Sequence, residues 1–228
     1  MAAGATTLVV IDVLSFSTAV SVAVAGGTEV WPSPPGEAAG ALARRVGAEL
    51  AVDRREITAE RPWSLSPAAL LAAPPAGRLV LPSPNGSAIA AAAVGARVLA
   101  ASLRNRAAVC QHLAARGREA VGVVAAGERW DDGSLRPAVE DLLGASLVLS
   151  ALAAAGAALS PEAAVTVRAA AGMTVEELRE AVEAGTSGVE LTEAGFREDV
   201  VLATEVDADA VVPVMREGGF VPMGSGKA

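Results

Sequence analysis

The sequence predicts an α/β fold: a largely parallel sheet with helices on both faces, followed by a helical C-terminal part. Three observations point there. Short apolar, β-branched runs alternate with helix-like runs up to about Ala155, the pattern of βα units. The first run, Thr7–Leu14, is apolar without in-out alternation, as expected of a strand covered on both faces. Beyond Pro161 the helical stretches follow one another with no strand between them until the very end.

Each element has its own reason. Thr7–Leu14 reads as the first strand, and Thr18–Ala25 as a helix capped by Ser17 and stopped by Gly26-Gly27. Glu29–Pro32 reads as a short strand, followed after Pro34-Pro35 by a helix over Gly36–Val46. Glu49–Val52 is a further short strand, 53–66 a loop, and Pro67–Ala72 a short helix before Pro74-Pro75. Strand Arg78–Leu81 runs into the turn Ser83-Pro84-Asn85-Gly86 and helix Ser87–Ala93. Strand Arg97–Ala101 leads to helix Asn105–Arg116. Strand Ala120–Ala126 leads through a polar loop, 127–137, to the long helix Ala138–Ala155. Pro161–Ala171, Val175–Ala184 and Gly188–Ala203 read as helices. Val211–Met215 and Phe220–Pro222 form a strand pair around Gly218-Gly219. Residues 1–223 are expected to make a single α/β domain and 224–228 a frayed tail.

Composition narrows the function. Of 228 residues, 52% are hydrophobic and 19% charged, so the chain can fill a core and is not a disordered one. The net charge of -8 argues against nucleic acid as partner, because phosphate backbones need clustered Lys and Arg. It does not exclude a small anionic substrate, since local Arg or a metal reverses the field inside one pocket. Cys110 is the single cysteine, which excludes an internal disulfide and points to a reducing, cytoplasmic setting. The N-terminus has no basic segment and carries Asp12 in its apolar stretch, unlike a signal peptide. Leu142–Pro161 is uncharged but rich in Ala, Gly and Ser, and reads as a buried helix rather than a membrane span. Ala-rich helices such as Ala138–Ala155 can pack within or between subunits, so a homodimer stays open.

Asp12 is the most informative single residue. A carboxylate inside an apolar strand costs several kcal/mol, on the order of 2–7, unless its charge is compensated. Ligands of α/β sheets bind beyond the carboxyl ends of the strands, and the unusual polar residues gather there. Ser15, Ser17 and Thr18 follow Asp12. Asn85, Gly86 and Ser87 follow another strand, Arg104 and Asn105 a third, and Glu128, Arg129, Asp131 and Asp132 a fourth. Glu140 and Asp141 open the next helix. Ser83–Ser87 is either an ordinary turn and cap or a cradle of N–H groups and hydroxyls for an anion, and the same two readings apply to Leu14–Thr18. Asp12, Glu128, Glu140 and Asp141 can offer oxygens to Mg²⁺, whereas Asp131 and Asp132 beside Gly133 suit a solvated loop. Glu140 and Asp141 can equally complement a helix dipole. Arg54, Arg55, Arg104 and Arg129 are candidate anion clamps.

Several other chemistries lack support. Cys110-x5-Arg116 has the spacing of a cysteine phosphatase but continues a helix, without the required glycine loop. His112 is the only histidine, expected on an exposed helix face, so histidine phosphorylation and histidine metal clusters lack support. Leu14 stands where a haloacid-dehalogenase-type enzyme needs its second Asp. No P-loop, dinucleotide fingerprint or nucleophile elbow occurs.

With these residues in view, the chain resembles the 2-phosphosulfolactate phosphatase family, Mg²⁺-dependent acid phosphatases of the coenzyme M pathway. The resemblance runs through Val10-Ile11-Asp12-Val13-Leu14 with Ser17-Thr18, Pro84-Asn85-Gly86-Ser87, Ala101-Ser102 with Asn105, Ala126-Gly127-Glu128 and Glu140-Asp141-Leu142-Leu143-Gly144-Ala145. It continues in Ser187-Gly188, Gly195-Phe196-x-x-Asp199 and Asp209 to Val212-Pro213-Val214. It implies a three-layer α/β/α sandwich with a mixed sheet, and hydrolysis of a phosphate ester of a small sulfonated or carboxylated hydroxy acid. Two positions depart from the family pattern: Ser15 stands where many relatives carry Arg, and a His between Ser187 and Gly188 is missing.

The expectation is therefore a Mg²⁺-dependent phosphomonoesterase with Asp12, Glu128 and Asn85 at its catalytic centre. Asp12, Glu140 and Asp141 are the expected metal ligands. Ser15, Ser17, Thr18, Gly86, Ser87 and Asn105 are expected to hold the phosphoryl group, and Arg54, Arg55 or Arg104 the second anion. A rival is a binding protein that holds a phosphorylated or sulfonated metabolite without hydrolysing it.

Overall fold

The side chains of the first strand, β1 (Thr7–Ile11), divide between two cores. Val9 and Ile11 face one side of the sheet and Val10 the other, the two-residue period of a strand covered twice. A computed structural model describes residues 4–93, 95–117 and 119–223. The expected tail, 224–228, lies outside the described residues.

The sheet also contains β2 (Glu29–Ser33), β3 (Glu49–Leu50), β4 (Arg78–Pro82), β5 (Arg97–Ala101) and β6 (Val121–Ala125). A two-stranded ladder, β7 (Glu128–Arg129) with β8 (Leu135–Arg136), stands apart from it, inside the segment read as a polar loop. The last two strands are β9 (Pro213–Arg216) and β10 (Gly219–Pro222). The eight strands of the main sheet run β3-β4-β2-β10-β9-β5-β1-β6. Two parallel blocks, β3-β4-β2 and β5-β1-β6, are joined by the antiparallel β9–β10 hairpin. The hairpin was legible from Gly218-Gly219, and its turn uses Glu217 and Gly218 at positive φ. Its place at the centre of the sheet was not. Phe220 explains that place: it is fully buried opposite Val30 and meets Phe16 edge-on at 6.1 Å.

Three antiparallel steps separate the blocks, so they run in opposite senses. Helix α1 (Phe16–Ala25) lies against both blocks, and both contribute to one core, with Val10 and Val98 from one and Val30 and Leu79 from the other. Every residue of α1 from Phe16 to Val24 is buried, which matches its lack of charge. The segments that follow β1 and β4 meet, with the Gly86 N–H on the Asp12 carboxylate.

The opposite face carries α5 (Arg106–Ala115), α6 (Val139–Ala154) and α8 (Val175–Ala184), packed on Val9, Ile11 and Leu99. Gly144 of α6 allows this approach, since a Cβ there would lie 2.9 Å from Ile11 Cγ2. Helix α2 (Glu37–Val46) covers Val80 and Trp31, while α3 (Pro67–Ala72) and α4 (Gly86–Ala92) lie with α1. The architecture is the α/β sandwich with a mostly parallel, mixed sheet that the sequence implies. No described helix is long and apolar enough to cross a membrane.

Several boundaries move for physical reasons. The segment 161–171 is α7 (Pro161–Thr166) followed by a 3₁₀ turn over Val167–Ala170. The helix expected over Gly188–Ala203 is two, α9 (Thr186–Glu193) and α10 (Arg197–Ala203), parted at Gly195 with φ +92°. The loop 53–66 contains a 3₁₀ turn, Arg54–Glu56, whose Asp53 carboxylate accepts the Arg55 N–H. His112 is half-buried rather than exposed, and its Nε2 is sealed from solvent without a hydrogen-bond partner among the described residues. Burial, then Arg116 and Arg97, holds its pKa below the usual value.

Candidate active site

Asp12 ends β1 and starts α1. Its carbonyl accepts the Ser17 N–H at 2.8 Å, and its Oδ1 accepts the Phe16 N–H at 3.0 Å. Its Oδ2 accepts the Gly86 N–H at 2.7 Å, across 74 residues of sequence. Ser17 is therefore not the helix cap. Its hydroxyl accepts the Asp12 N–H and donates to the Val10 carbonyl, both at 3.0 Å. The strand stops at Ile11 and the helix begins at Phe16 because Asp12 captures the intervening backbone.

The same bonds change the reading of the two turns. The N–H groups of Phe16, Ser17 and Gly86, expected to cradle phosphate, are spent on Asp12, and that of Asn85 on Ser83 Oγ. The anion held by these turns is the Asp12 carboxylate itself.

Asp141 does the equivalent work from α6. Its Oδ1 accepts the Val13 N–H at 2.7 Å and its Oδ2 the Gly127 N–H at 2.8 Å, tying the β1 and β6 tips together. Gly127 has φ +67°, and a Cβ there would meet Leu135 at 2.7 Å. Next to Asp141, Glu140 is 1% exposed, and its Oε2 is sealed with no hydrogen-bond partner among the described residues. Glu128 of β7 accepts from Asn85 Nδ2 at 2.6 Å, closing the site against the β4 turn.

Four carboxylates thus share one corner. Burial pushes Asp12 above the usual carboxylate range, and the charge of Glu140 adds to it, against the pull of the Gly86 and Phe16 N–H groups and of Arg54. Asp141 is pushed well up, by burial and then by the charge of Asp12. Glu128 is pushed up to about 7, by burial and then by Asp12.

A cavity of about 290 Å³ opens beside this corner. Asp12, Ser15, Asn85 and Glu128 line it with Arg54, and Leu14, Leu65 and Leu191 give it apolar walls. Of the residues predicted for the site, these five polar ones face the cavity. Ser17, Thr18, Gly86, Ser87, Asn105 and Asp141 serve the main chain or hold Asp12 instead. Thr18 Oγ1 donates to the Val13 carbonyl, and Ser87 Oγ bridges the Ser33 N–H and the Leu81 carbonyl. Asn105 closes its own turn, accepting the Ser102 N–H and donating to the Ala100 carbonyl. Arg104 points away from the cavity. It is engaged bidentately by Asp209 at 2.9 and 3.0 Å, donates to the Leu202 carbonyl and pairs with Glu205. Its expected role as substrate clamp is replaced by that of an ion pair that anchors 202–209. Arg55 does not line the cavity either.

Sequence reasoning missed part of the wall. Ser83, read as part of its turn, and Ser187, read within the family resemblance, line the cavity too, but Glu190 was not singled out: it lines the cavity and holds Arg136 of β8 bidentately at 2.8 Å. Arg136 also lies over the Trp130 ring at 5.5 Å. Nothing local marks Glu190, but Arg136 stands just before the Glu140-Asp141 pair.

The donor set fits Mg²⁺. That ion takes one or two carboxylates and keeps its remaining positions for water and phosphate oxygens. Among the described residues no three His, Cys, Asp or Glu side chains form a group that could hold a metal, so Asp12, Glu140 and Asp141, expected together as ligands, do not make such a set. The sealed, unpartnered Glu140 oxygen beside Asp12 is the acceptor that a cation would satisfy.

A family model described as 2-phosphosulpholactate phosphatase matches residues 2–218, nearly the whole chain. The chain belongs to this family. It is therefore a member of the phosphoric monoester hydrolases, and the acidic corner is the candidate active site of a phosphatase. No curated protein matches the chain. Within the 2-phosphosulpholactate phosphatase framework, the motif around Asp12 joins the Asn85-Gly86 turn by the Gly86–Asp12 bond, and the Gly127-Glu128 segment joins the Glu140-Asp141 segment by the Gly127–Asp141 bond.

Proposed function

We propose that the protein is a Mg²⁺-dependent phosphatase for the phosphate monoester of a small anionic hydroxy acid, and that 2-phosphosulfolactate is its substrate, giving sulfolactate and phosphate. The observation that carries this reading is the juxtaposition, around one small cavity, of the Asp12–Glu128 acidic corner and the Arg54 guanidinium. Asp12 and Glu140 would hold the metal, Glu140 through its unpartnered oxygen. Asp12 and Asp141 both accept main-chain N–H groups on each oxygen, but only Asp12 also lines the cavity, so Asp141 is left to keep the two loops in register. Bound Mg²⁺ supplies Lewis-acid polarisation of phosphoryl oxygens and lowers the pKa of a water.

The chain's own residues do the rest. Hydrolysis forms a bond from water oxygen to phosphorus, breaks the ester P–O bond and leaves a hydroxyl that needs a proton. Glu128, titrating near neutrality and steadied by Asn85, is suited to deliver that proton. Arg54 would pair with the second anionic group, and Leu14, Leu65 and Leu191 would exclude water around the short carbon chain. The lone, buried Cys110 suits a reducing compartment such as the cytoplasm.

The test is phosphate release from 2-phosphosulfolactate, with Mg²⁺ and with chelator, for the wild type and Asp12→Asn. Turnover is expected only with the metal, and to fall by roughly 10³-fold or more in the folded variant. Wild-type turnover in Asp12→Asn, or turnover unaffected by chelator, overturns the reading.

A further inference from the structure

Arg54 reaches the cavity from its 3₁₀ turn, and three separate elements fix its guanidinium. Nε donates to Asp199 Oδ2 at 3.1 Å. Nη2 donates to Ser15 Oγ at 2.7 Å and to the Leu65 carbonyl at 3.3 Å. The ring of Phe196 lies beneath the cation, 5.6 Å from centroid to Cζ. Nη1 has no protein acceptor among the described residues, and Arg54 lines the cavity.

Asp199 does not line the cavity. It sits on α10, 1% exposed, and its second oxygen accepts from Ser66 Oγ at 2.5 Å and from the Ala68 N–H at 3.1 Å. A carboxylate so deeply buried is costly, and its own hydrogen bonds make it rigid. An ion pair serving stability alone would use up the donors of the arginine, as Asp209 and Glu205 do for Arg104. Here Nε and Nη2 are locked and Nη1 is left over, on a side chain that lines the cavity.

We propose that Asp199 is a positioning residue of the active site: by holding Nε of Arg54 against Phe196, it aims the remaining edge of the guanidinium at the second anionic group of the substrate. This rests on the reading of Arg54 as the clamp for that group. It deepens that reading by making selectivity for a doubly anionic ester depend on a residue that never touches it.

The experiment compares kcat and KM for two phosphomonoesters, 2-phospholactate and its neutral carboxamide, in the wild type, Asp199→Asn, Asp199→Glu, Arg54→Ala and the Arg54→Ala/Asp199→Asn double variant. Asp199→Asn is expected to raise KM for the acid about tenfold or more, with kcat within about threefold and the amide unmoved. Asp199→Glu recovers part of the loss, and the double variant behaves as Arg54→Ala alone. If Arg54→Ala abolishes discrimination between the esters while Asp199→Asn preserves it, the positioning role falls and the clamp stands. If Arg54→Ala leaves discrimination intact, both fall. Should Asp199→Asn fail to fold, Ser66→Ala replaces it, with a smaller rise in KM for the acid only, and no rise overturns the proposal. Hydrogen exchange of the Arg54 Nε–H, followed by NMR, gives a readout free of turnover. It is expected to be slow in the wild type and fast in Asp199→Asn or Ser66→Ala, and equal rates overturn the proposal.

Discussion

Gly86 and Asp12 occupy each other's space: the Gly86 N–H lies 2.7 Å from Asp12 Oδ2, and a Cβ on residue 86 would lie at the same distance from that oxygen. The same Cβ would stand 2.8 Å from Asp12 Cβ and 2.6 Å from Phe16 Cδ1. Gly86→Ala must therefore displace the carboxylate or the turn. Phosphate release is expected to drop about a hundredfold, and stability by about 1–3 kcal/mol from overpacking. Steady-state assays and thermal melts measure the two, and near-native turnover would show that Asp12 has no fixed role.

Arg104→Ala separates architecture from binding. The side chain is 7% exposed and its partner Asp209 is 10% exposed. Removing the cation strands a buried carboxylate, at a cost of about 3–5 kcal/mol. The KM of the surviving folded enzyme is expected to stay at the wild-type value. A raised KM with unchanged melting would make Arg104 a substrate ligand after all.

The acidic corner is expected to cost stability when no cation is bound. Glu140→Gln removes one buried, unpartnered like charge, and Glu128→Gln another that still keeps an oxygen for Asn85. Each variant is expected to melt a few degrees higher than the wild type in chelator, at about 2–4 °C per kcal/mol for a chain of this size. Each should also lose turnover with Mg²⁺. Lower melting of both in chelator would mean that the carboxylates are already compensated within the protein.

Cys110 is pushed up to about 11 by burial, against the weaker pull of Arg106. Its folded value lies above the ordinary 9.0, so its contribution to stability is complete below 9 and is lost as pH rises through about 11. The native thiol should resist alkylation at pH 8 and react at once in denaturant. Rapid labelling of the native protein would contradict this.

Glu119 is the opposite case. Its hydrogen bonds to Arg116 hold it down to about 2 from an ordinary 4.5. A depressed carboxylate contributes stability above 4.5 that disappears as pH falls towards 2. Glu119→Gln should flatten the acid side of the stability curve in that window, by lowering stability somewhat at neutral pH and leaving it unchanged near pH 2. An identical acid transition in the variant would remove Glu119 from the acid response.

Much of this was legible in the sequence, for reasons that can be named. Asp12 stood out because a carboxylate at the end of an apolar strand has to be answered by something. The β9–β10 hairpin stood out because Gly218 supplies a conformation that few residues adopt. The capping role of Asp12 was hidden, because Ser17 before a helical run has the usual signature of an N-cap while its hydroxyl in fact points back to Val10. The direction of Arg104 was hidden too. Its position after a strand was readable, but the acid that turns it away lies 105 residues on. Asp199 had only the motif around Phe196 to mark it, and its two clients, Arg54 and Ser66, are 145 and 133 residues away.

The hairpin at the middle of the sheet has a consequence for how the chain is made. Val30 and Leu99 pair with Leu79 and Val9 on their outer sides, and on their inner sides with Phe220 and Val214 of the hairpin. A polypeptide growing from its N-terminus on the ribosome therefore exposes two bare strand edges until residue 222 has emerged, and such edges invite pairing with other nascent chains. Premature termination or proteolytic trimming before residue 213 would leave two unzipped half-sheets, so holding factors that shield newly made strands should matter more to the yield of this enzyme than to that of an α/β protein whose central strands come first.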